Sequence, residues 1–123
     1  MTDKKEQTTA KELNKYIVKG IQEKKGTEIV LINLKETGSS IADFFILCTG
    51  NSETQLSAIL DSVENEVKKG TGQTPWHREG IQNKDWILLD YIDVVVHIFK
   101  KDVRSFYSLE TLWGDADIQS VKE

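Results

Sequence analysis

The chain switches between two hydrophobic periods. From Thr9 the period is helical: Leu13, Ile17, Gly20 and Ile21 share one face, behind a Thr9-Ala-Lys-Glu12 stretch with capping-box spacing. This predicts a helix ending near Lys25-Gly26, where a cation and a glycine suit a C-terminus. Two strands follow. Thr27 to Leu34 carries Ile29-Val-Leu-Ile32, apolar on both faces, and Ala42 to Thr49 carries Asp43-Phe-Phe-Ile-Leu-Cys. Gly50-Asn51 then turns the chain into a second helix. Ser52 and Gln55 have capping-box spacing, Leu56, Ile59, Leu60, Val63 and Val67 form one stripe, and Lys68-Lys69-Gly70 marks the expected end.

Residues 71–85 read as loop, with Trp76 starting at most a short strand. Trp86 to Phe99 is the densest apolar stretch, and Tyr91-Ile92-Asp93 breaks it in the manner of a β-hairpin. Both hairpin strands are apolar on alternating faces, which predicts a central place in a covered sheet. The hairpin also carries Trp86, Asp90, Tyr91, Asp93 and His97, so it reads as half core and half display surface. Alternation puts Trp86, Leu88 and Asp90 on one face, and Ile87, Leu89 and Tyr91 on the other. Asp102 is a candidate cap for a third helix through Val103, Phe106, Tyr107, Leu109, Leu112 and Trp113 to Gly114. The expected layout is a frayed segment 1–8, one domain over 9–114, and a loose tail over 115–123. The order α-β-β-α-(β)-β-β-α implies an α+β fold, a mixed sheet with packed helices.

Charge changes this picture in one respect. Residues 1–26 hold seven lysines against Asp3, Glu6, Glu12 and Glu23, a net of +3, while the rest of the chain holds nine basic and sixteen acidic side chains, a net of −7. Residues 79–93 alone have Glu79, Asp85, Asp90 and Asp93 against Lys84. An acidic body argues against a wide nucleic-acid surface and favours a basic partner. The single cysteine, Cys48, lies in an apolar run and reads as a small buried hydrophobe in a reducing, cytoplasmic setting. No apolar run approaches the ~20 residues of a membrane span.

Candidate chemistry is thin. Gly50-Asn-Ser52 at a strand-to-helix turn lacks both the phosphate-loop lysine and the three-glycine dinucleotide pattern, so a turn and cap is the plainer reading. Asp90 and Asp93 are three apart, which puts them on opposite faces of an extended strand and makes turn or surface roles the better fit than metal binding. His77 and His97 are not at zinc-ligand spacing from Cys48 or from each other. His97 reads as a half-exposed strand position. Aromatic residues crowd the C-terminal half, and with Arg104 they have the composition of an interface hot spot.

Five stretches in order now carry a resemblance. They are Asp43-Phe-Phe-Ile-Leu-Cys-Thr-Gly-Asn-Ser52, Glu79-Gly80, Trp86-Ile-Leu-Leu-Asp90, Asp93-Val-Val-Val-His97, and Arg104-x-Phe-Tyr-x-Leu-Glu-x-Leu-Trp113. Together they resemble the ribosomal silencing factor family (RsfS, or Iojap), over about residues 10–116. Ile92 is a departure, standing where that family usually has glycine. The resemblance implies a non-enzymatic factor without cofactor or metal. It implies binding to the large ribosomal subunit through its protein L fourteen, on the face that meets the small subunit. That binding would block subunit joining and lower translation when nutrients are short. It further implies a fold similar to a nucleotidyltransferase core that has lost its catalytic acids.

The residues expected to meet the partner are Glu79, Trp86, Asp90, Tyr91, Asp93, His97, Arg104 and Tyr107. A minor contact to ribosomal RNA and a homodimer of the free protein stay open. The competing reading is a nucleotidyltransferase-like enzyme. Gly38-Ser39 with Asp43 has a trace of that family's Gly-Ser signature, but the two close acids that should follow are absent.

Overall fold

The computed structural model describes residues 9–35, 42–103 and 117–123. The elements are α1 (Ala10–Glu23), β1 (Thr27–Asn33), β2 (Phe44–Gly50), α2 (Glu53–Thr71), β3 (His77–Glu79), β4 (Trp86–Asp90), β5 (Val94–Lys100) and β6 (Asp117–Ser120). Among the described residues six strands form one mixed sheet, with α1 and α2 packed on one of its faces. Their order across the sheet is β3-β4-β5-β2-β1-β6. Among the described strands only β2 and β5 run parallel, because α2 carries the chain across the sheet between them, and the other pairs are antiparallel.

The two central strands, β2 and β5, are buried almost throughout, which matches their lack of polar alternation. One core lies between sheet and helices and includes Ile17, Ile21, Ile46, Cys48, Ile59, Val63, Ile87, Leu89 and Ile98. Cys48 is there as the small hydrophobe its setting suggested. A second cluster occupies the opposite face, with Ile32, Phe45, Leu47, Val95 and Phe99, against which Trp86, Leu88 and Val103 pack. The hairpin faces are therefore divided as strand alternation requires.

Thr9 caps α1 through a complete capping box with Glu12, as expected. At α2 the box is only half made. Ser52 Oγ accepts from the Gln55 N–H (3.1 Å), but Gln55 Oε1 accepts from Asn51 N–H (2.7 Å) instead of from Ser52. The amide of Gln55 then donates to the carbonyls of Lys24 and Lys25, both at 3.1 Å. One side chain thus serves the N-terminus of α2 and the unpaired carbonyls after α1.

Helix α2 runs past Gly70 to Thr71, and the left-handed cap is Gly72 (φ +79°), whose N–H donates to Lys68 O. Gly70 lies within the helix and gives room to the Tyr16 ring, so it marks helix packing and not a helix end. Residues 101–103 are already helical, which places Asp102 inside that turn and not before it. The remainder of the expected third helix lies outside the described residues, as does Gly38-Ser39.

The largest departure is at the C-terminus. The tail expected to be loose supplies β6, which pairs with β1 from Val30↔Ser120 to Asn33↔Asp117. Beyond it, Val121 N–H donates to Ile29 O, and Glu123 Oε2 accepts from Glu28 N–H at 2.9 Å. Asp117-Ile-Gln-Ser120 is too short and too polar to announce a strand. It is held by backbone bonds to an edge that β1 would otherwise leave open.

Candidate partner-binding surface

The hairpin turn is built around Asp90. Its carbonyl accepts from Trp76 N–H (2.7 Å), and its carboxylate accepts from Ile92 N–H (2.7 Å). Strand β3 begins next to Trp76 and pairs His77 with Asp90, so the loop before β3 is drawn to the tip of the hairpin. Asp93 N–H donates to Tyr91 O (2.9 Å) and Tyr91 N–H donates to Val94 O, which makes a γ-turn centred on Ile92 at φ +75°.

Two large apolar side chains therefore stand in solvent at one end of the sheet, Trp76 at 73% exposure and Ile92 at 59%. Exposed Asp93 and half-buried Asp90 lie between and beside them, and Asp43 joins this end because its N–H donates to Asp93 O at 2.8 Å. Glu79 stands two residues further along β3, exposed, with its carboxylate 2.8 Å from His77 Nε2. Its neighbour Arg78 is turned to Glu64 on α2 (3.2 Å). An apolar pair set among carboxylates is a surface suited to a basic partner with an apolar centre.

The expected contact residues do not all gather here. Glu79, Asp90 and Asp93 do. Tyr91 does not: it is 4% exposed and packs in the core beneath the helices, with its hydroxyl unpartnered. Burial pushes that hydroxyl well above the ordinary phenol range, and the Glu64 carboxylate adds to the rise.

Trp86 opens β4 at the opposite end of the strand, about 13 Å from Asp90 at ~3.3 Å per residue. It is half-buried, and its ring packs on Phe99 at 5.0 Å. Asp85 is at that far end too, paired with Lys100 (3.4 Å), so the acidic run of 79–93 is split between two ends of the hairpin.

His97 was expected half-exposed, and it is 5% exposed. It sits among Phe45, Trp86 and Phe99, and its Nδ1 accepts from the Trp86 indole N–H at 3.0 Å. The ring proton is therefore on Nε2, which has no partner, and burial pushes the imidazole down to about 4. Arg104 and Tyr107 lie outside the described residues.

Sequence reasoning left Trp76 and Ile92 out of the contact set. Trp76 had a usable signal, a lone large aromatic in a loop with no apolar period to bury it. Ile92 was visible only as a substitution for glycine. Among the described residues no three of His, Cys, Asp and Glu gather as metal ligands, and no helix is long and apolar enough to cross a membrane.

A curated "Ribosomal silencing factor RsfS" from Halalkalibacterium halodurans is 44% identical over 105 residues, covering 85% of this chain and 88% of that one. A crystal structure of a Chromobacterium violaceum protein superposes with a TM-score of 0.81 at 31% identity, covering 87% of this chain and 88% of that one. The chloroplastic Iojap protein of Arabidopsis thaliana matches 73 residues at 36% identity, 59% of this chain and 30% of its own length. The family model described as "Ribosomal silencing factor during starvation" matches residues 7–123. With near-complete coverage and the same fold, this chain belongs to the ribosomal silencing factor family, RsfS.

Proposed function

We propose that this protein is a non-enzymatic repressor of translation. It binds the large ribosomal subunit through protein L fourteen, by the end of the sheet that carries Trp76, Ile92, Asp90 and Asp93, and thereby prevents the small subunit from joining. The observation that carries the reading is the pair of exposed apolar side chains tied to one aspartate and bordered by carboxylates. Hot spots at protein interfaces have this composition, a large aromatic anchor inside a polar rim. Ribosomal proteins are a basic class of partner, which suits the −7 net charge of residues 27–123. The Halalkalibacterium halodurans relative is itself named as a ribosomal silencing factor, which points to the same partner.

The test is a subunit-joining measurement with purified ribosomal subunits. Prior addition of the protein to the large subunit is expected to reduce the fraction of joined ribosomes on a density gradient, and protein L fourteen alone is expected to bind the chain. Unchanged joining at saturating protein would overturn the reading, and so would binding to the large subunit that persists without L fourteen.

A further inference from the structure

Asn14 is out of keeping with its position. It lies on the apolar stripe of α1 among Leu13, Ile17, Gly20 and Ile21 and is only 8% exposed, yet its Oδ1 accepts no hydrogen bond. An unsatisfied buried amide is costly, and an apolar residue would avoid the cost. The same side chain lines a cleft of about 270 Å³, where the first half of α1 stands over the β1–β6 edge of the sheet.

Strand register explains how the cleft is made. Leu31 pairs with Gln119, and Asn33 pairs with both Phe44 and Asp117, so these five side chains lie on the helix-facing side in adjoining rows. Leu31 and Phe44 form an apolar floor. Lys11 from the helix and Asp117 from β6 also line the cleft, one cationic and one anionic, both exposed and in no ion pair with each other.

We propose that this cleft binds a free amino acid. A zwitterion matches the lining: its carboxylate is met by Lys11, its ammonium supplies N–H donors to Asp117 and to Asn14 Oδ1, and its side chain lies on Leu31 and Phe44. The χ2 torsion of asparagine is broad, so a modest rotation turns the amide toward a ligand in the cleft. The volume falls just below the ~300–1,000 Å³ of pockets for drug-sized ligands, which fits a solute of amino-acid size. The C-terminal strand completes the site, since Asp117 and Gln119 are two of its walls. None of these residues belongs to the Trp76–Ile92 surface, so this site and the ribosomal reading stand or fall separately.

The experiment is calorimetric and thermal-shift titration of the full chain with each common amino acid, up to millimolar concentration. N-acetylated and carboxamide forms of any binder serve as controls. At least one free amino acid is expected to give saturable heat and a raised Tm. Each blocked form is expected to bind at least roughly tenfold more weakly, as loss of a charge-assisted hydrogen bond implies. Lys11→Gln and Asp117→Asn, both at exposed positions, are expected to weaken binding to a similar extent without lowering the Tm of the free protein. Asn14→Leu is expected to weaken binding while leaving the free protein at least as stable. No saturable response to any amino acid overturns the proposal. Blocked forms that bind as well as the free ones also overturn it, as does a binder indifferent to all three substitutions.

Discussion

The Trp86 indole donates its N–H to His97 Nδ1 at 3.0 Å across two antiparallel strands. The register pairs Trp86 with Phe99 and Leu88 with His97, so the two side chains meet diagonally on the sheet face opposite α1 and α2. The bond requires a neutral imidazole, because a protonated Nδ1 has no lone pair to offer.

Acid should therefore destabilise the fold. His97 is near 4 when folded and near 6.5 when unfolded, so the unfolded chain takes up the proton first as pH falls. The stabilisation from keeping His97 neutral is fully present above about 6.5, declines between 6.5 and 4, and is gone below 4, an effect on the order of 3 kcal/mol. Urea unfolding at stepped pH is expected to show this slope in the wild type. His97→Leu is expected to flatten it, and an equally steep slope in the variant would assign the acid sensitivity elsewhere.

Tyr91→Phe tests a different buried group. Its hydroxyl is buried without a partner, and removing it leaves the ring packing intact. The expected outcome is a gain of about 1 kcal/mol in unfolding free energy, since an unsatisfied hydroxyl costs roughly 1–3 kcal/mol. Binding to the large subunit should not change, because Tyr91 lies under the surface and not on it. A loss of stability would mean that the hydroxyl is satisfied in solution.

Ile92 holds a conformation that glycine tolerates far better. A β-branched residue at φ +75° carries strain of about 1–3 kcal/mol, offset in part by the ~0.4–1 kcal/mol of extra chain entropy that glycine brings to the unfolded state. Ile92→Gly is expected to raise stability by about 1 kcal/mol in chemical denaturation. It should also weaken partner binding by removing half of the exposed apolar pair. A variant both more stable and tighter in binding would take Ile92 out of the contact surface.

Trp76→Ala separates surface from scaffold. With 73% of the residue in solvent, its loss should leave Tm nearly unchanged. Affinity for the large subunit is expected to fall by about 2 kcal/mol, roughly 30-fold, the scale of an interface hot spot. The on-rate of the wild type should slow as salt shortens the ~8–10 Å Debye length. Normal affinity in the variant, measured by surface-immobilised titration, would place the contact elsewhere.

Gly20→Ala probes the α1–α2 contact. A Cβ there would lie 2.7 Å from Val63 Cα and 2.9 Å from Ser62 O, backbone atoms that cannot turn aside. Separating the helices should cost about 1–3 kcal/mol, as overpacking does, and a thermal melt will show it. An unchanged Tm would indicate that the helices slide apart without loss.

Much of this arrangement is legible in the amino-acid sequence. Two helices, the apolar strands and the Trp86–Phe99 hairpin follow from periodicity, because long apolar stretches have few other ways to be buried. The site was half legible. Asp90 and Asp93 are turn residues by chemistry and contact candidates by charge, and the fold places them together. Tyr91 and His97 are amphipathic types whose exposure depends on which neighbours cover them, and that is tertiary information. Trp86 and Asp90 are close in sequence but stand at opposite ends of an extended strand. Strand β6 was invisible because its pairing is backbone-made and its side chains are nearly all polar.

That last strand also sets a schedule. Val30 and its partner Ser120 are separated by 90 residues, so β1 must wait for its outer neighbour while the intervening chain is made. At about 5–20 residues per second of synthesis, the delay is on the order of 5–18 s. Throughout it, the outer backbone edge of Thr27-Glu-Ile-Val-Leu-Ile-Asn33 is open, a β-prone segment of the kind that pairs with other chains. During its own synthesis this member of a ribosome-directed family is therefore most exposed to misassociation at the edge its C-terminal strand later closes.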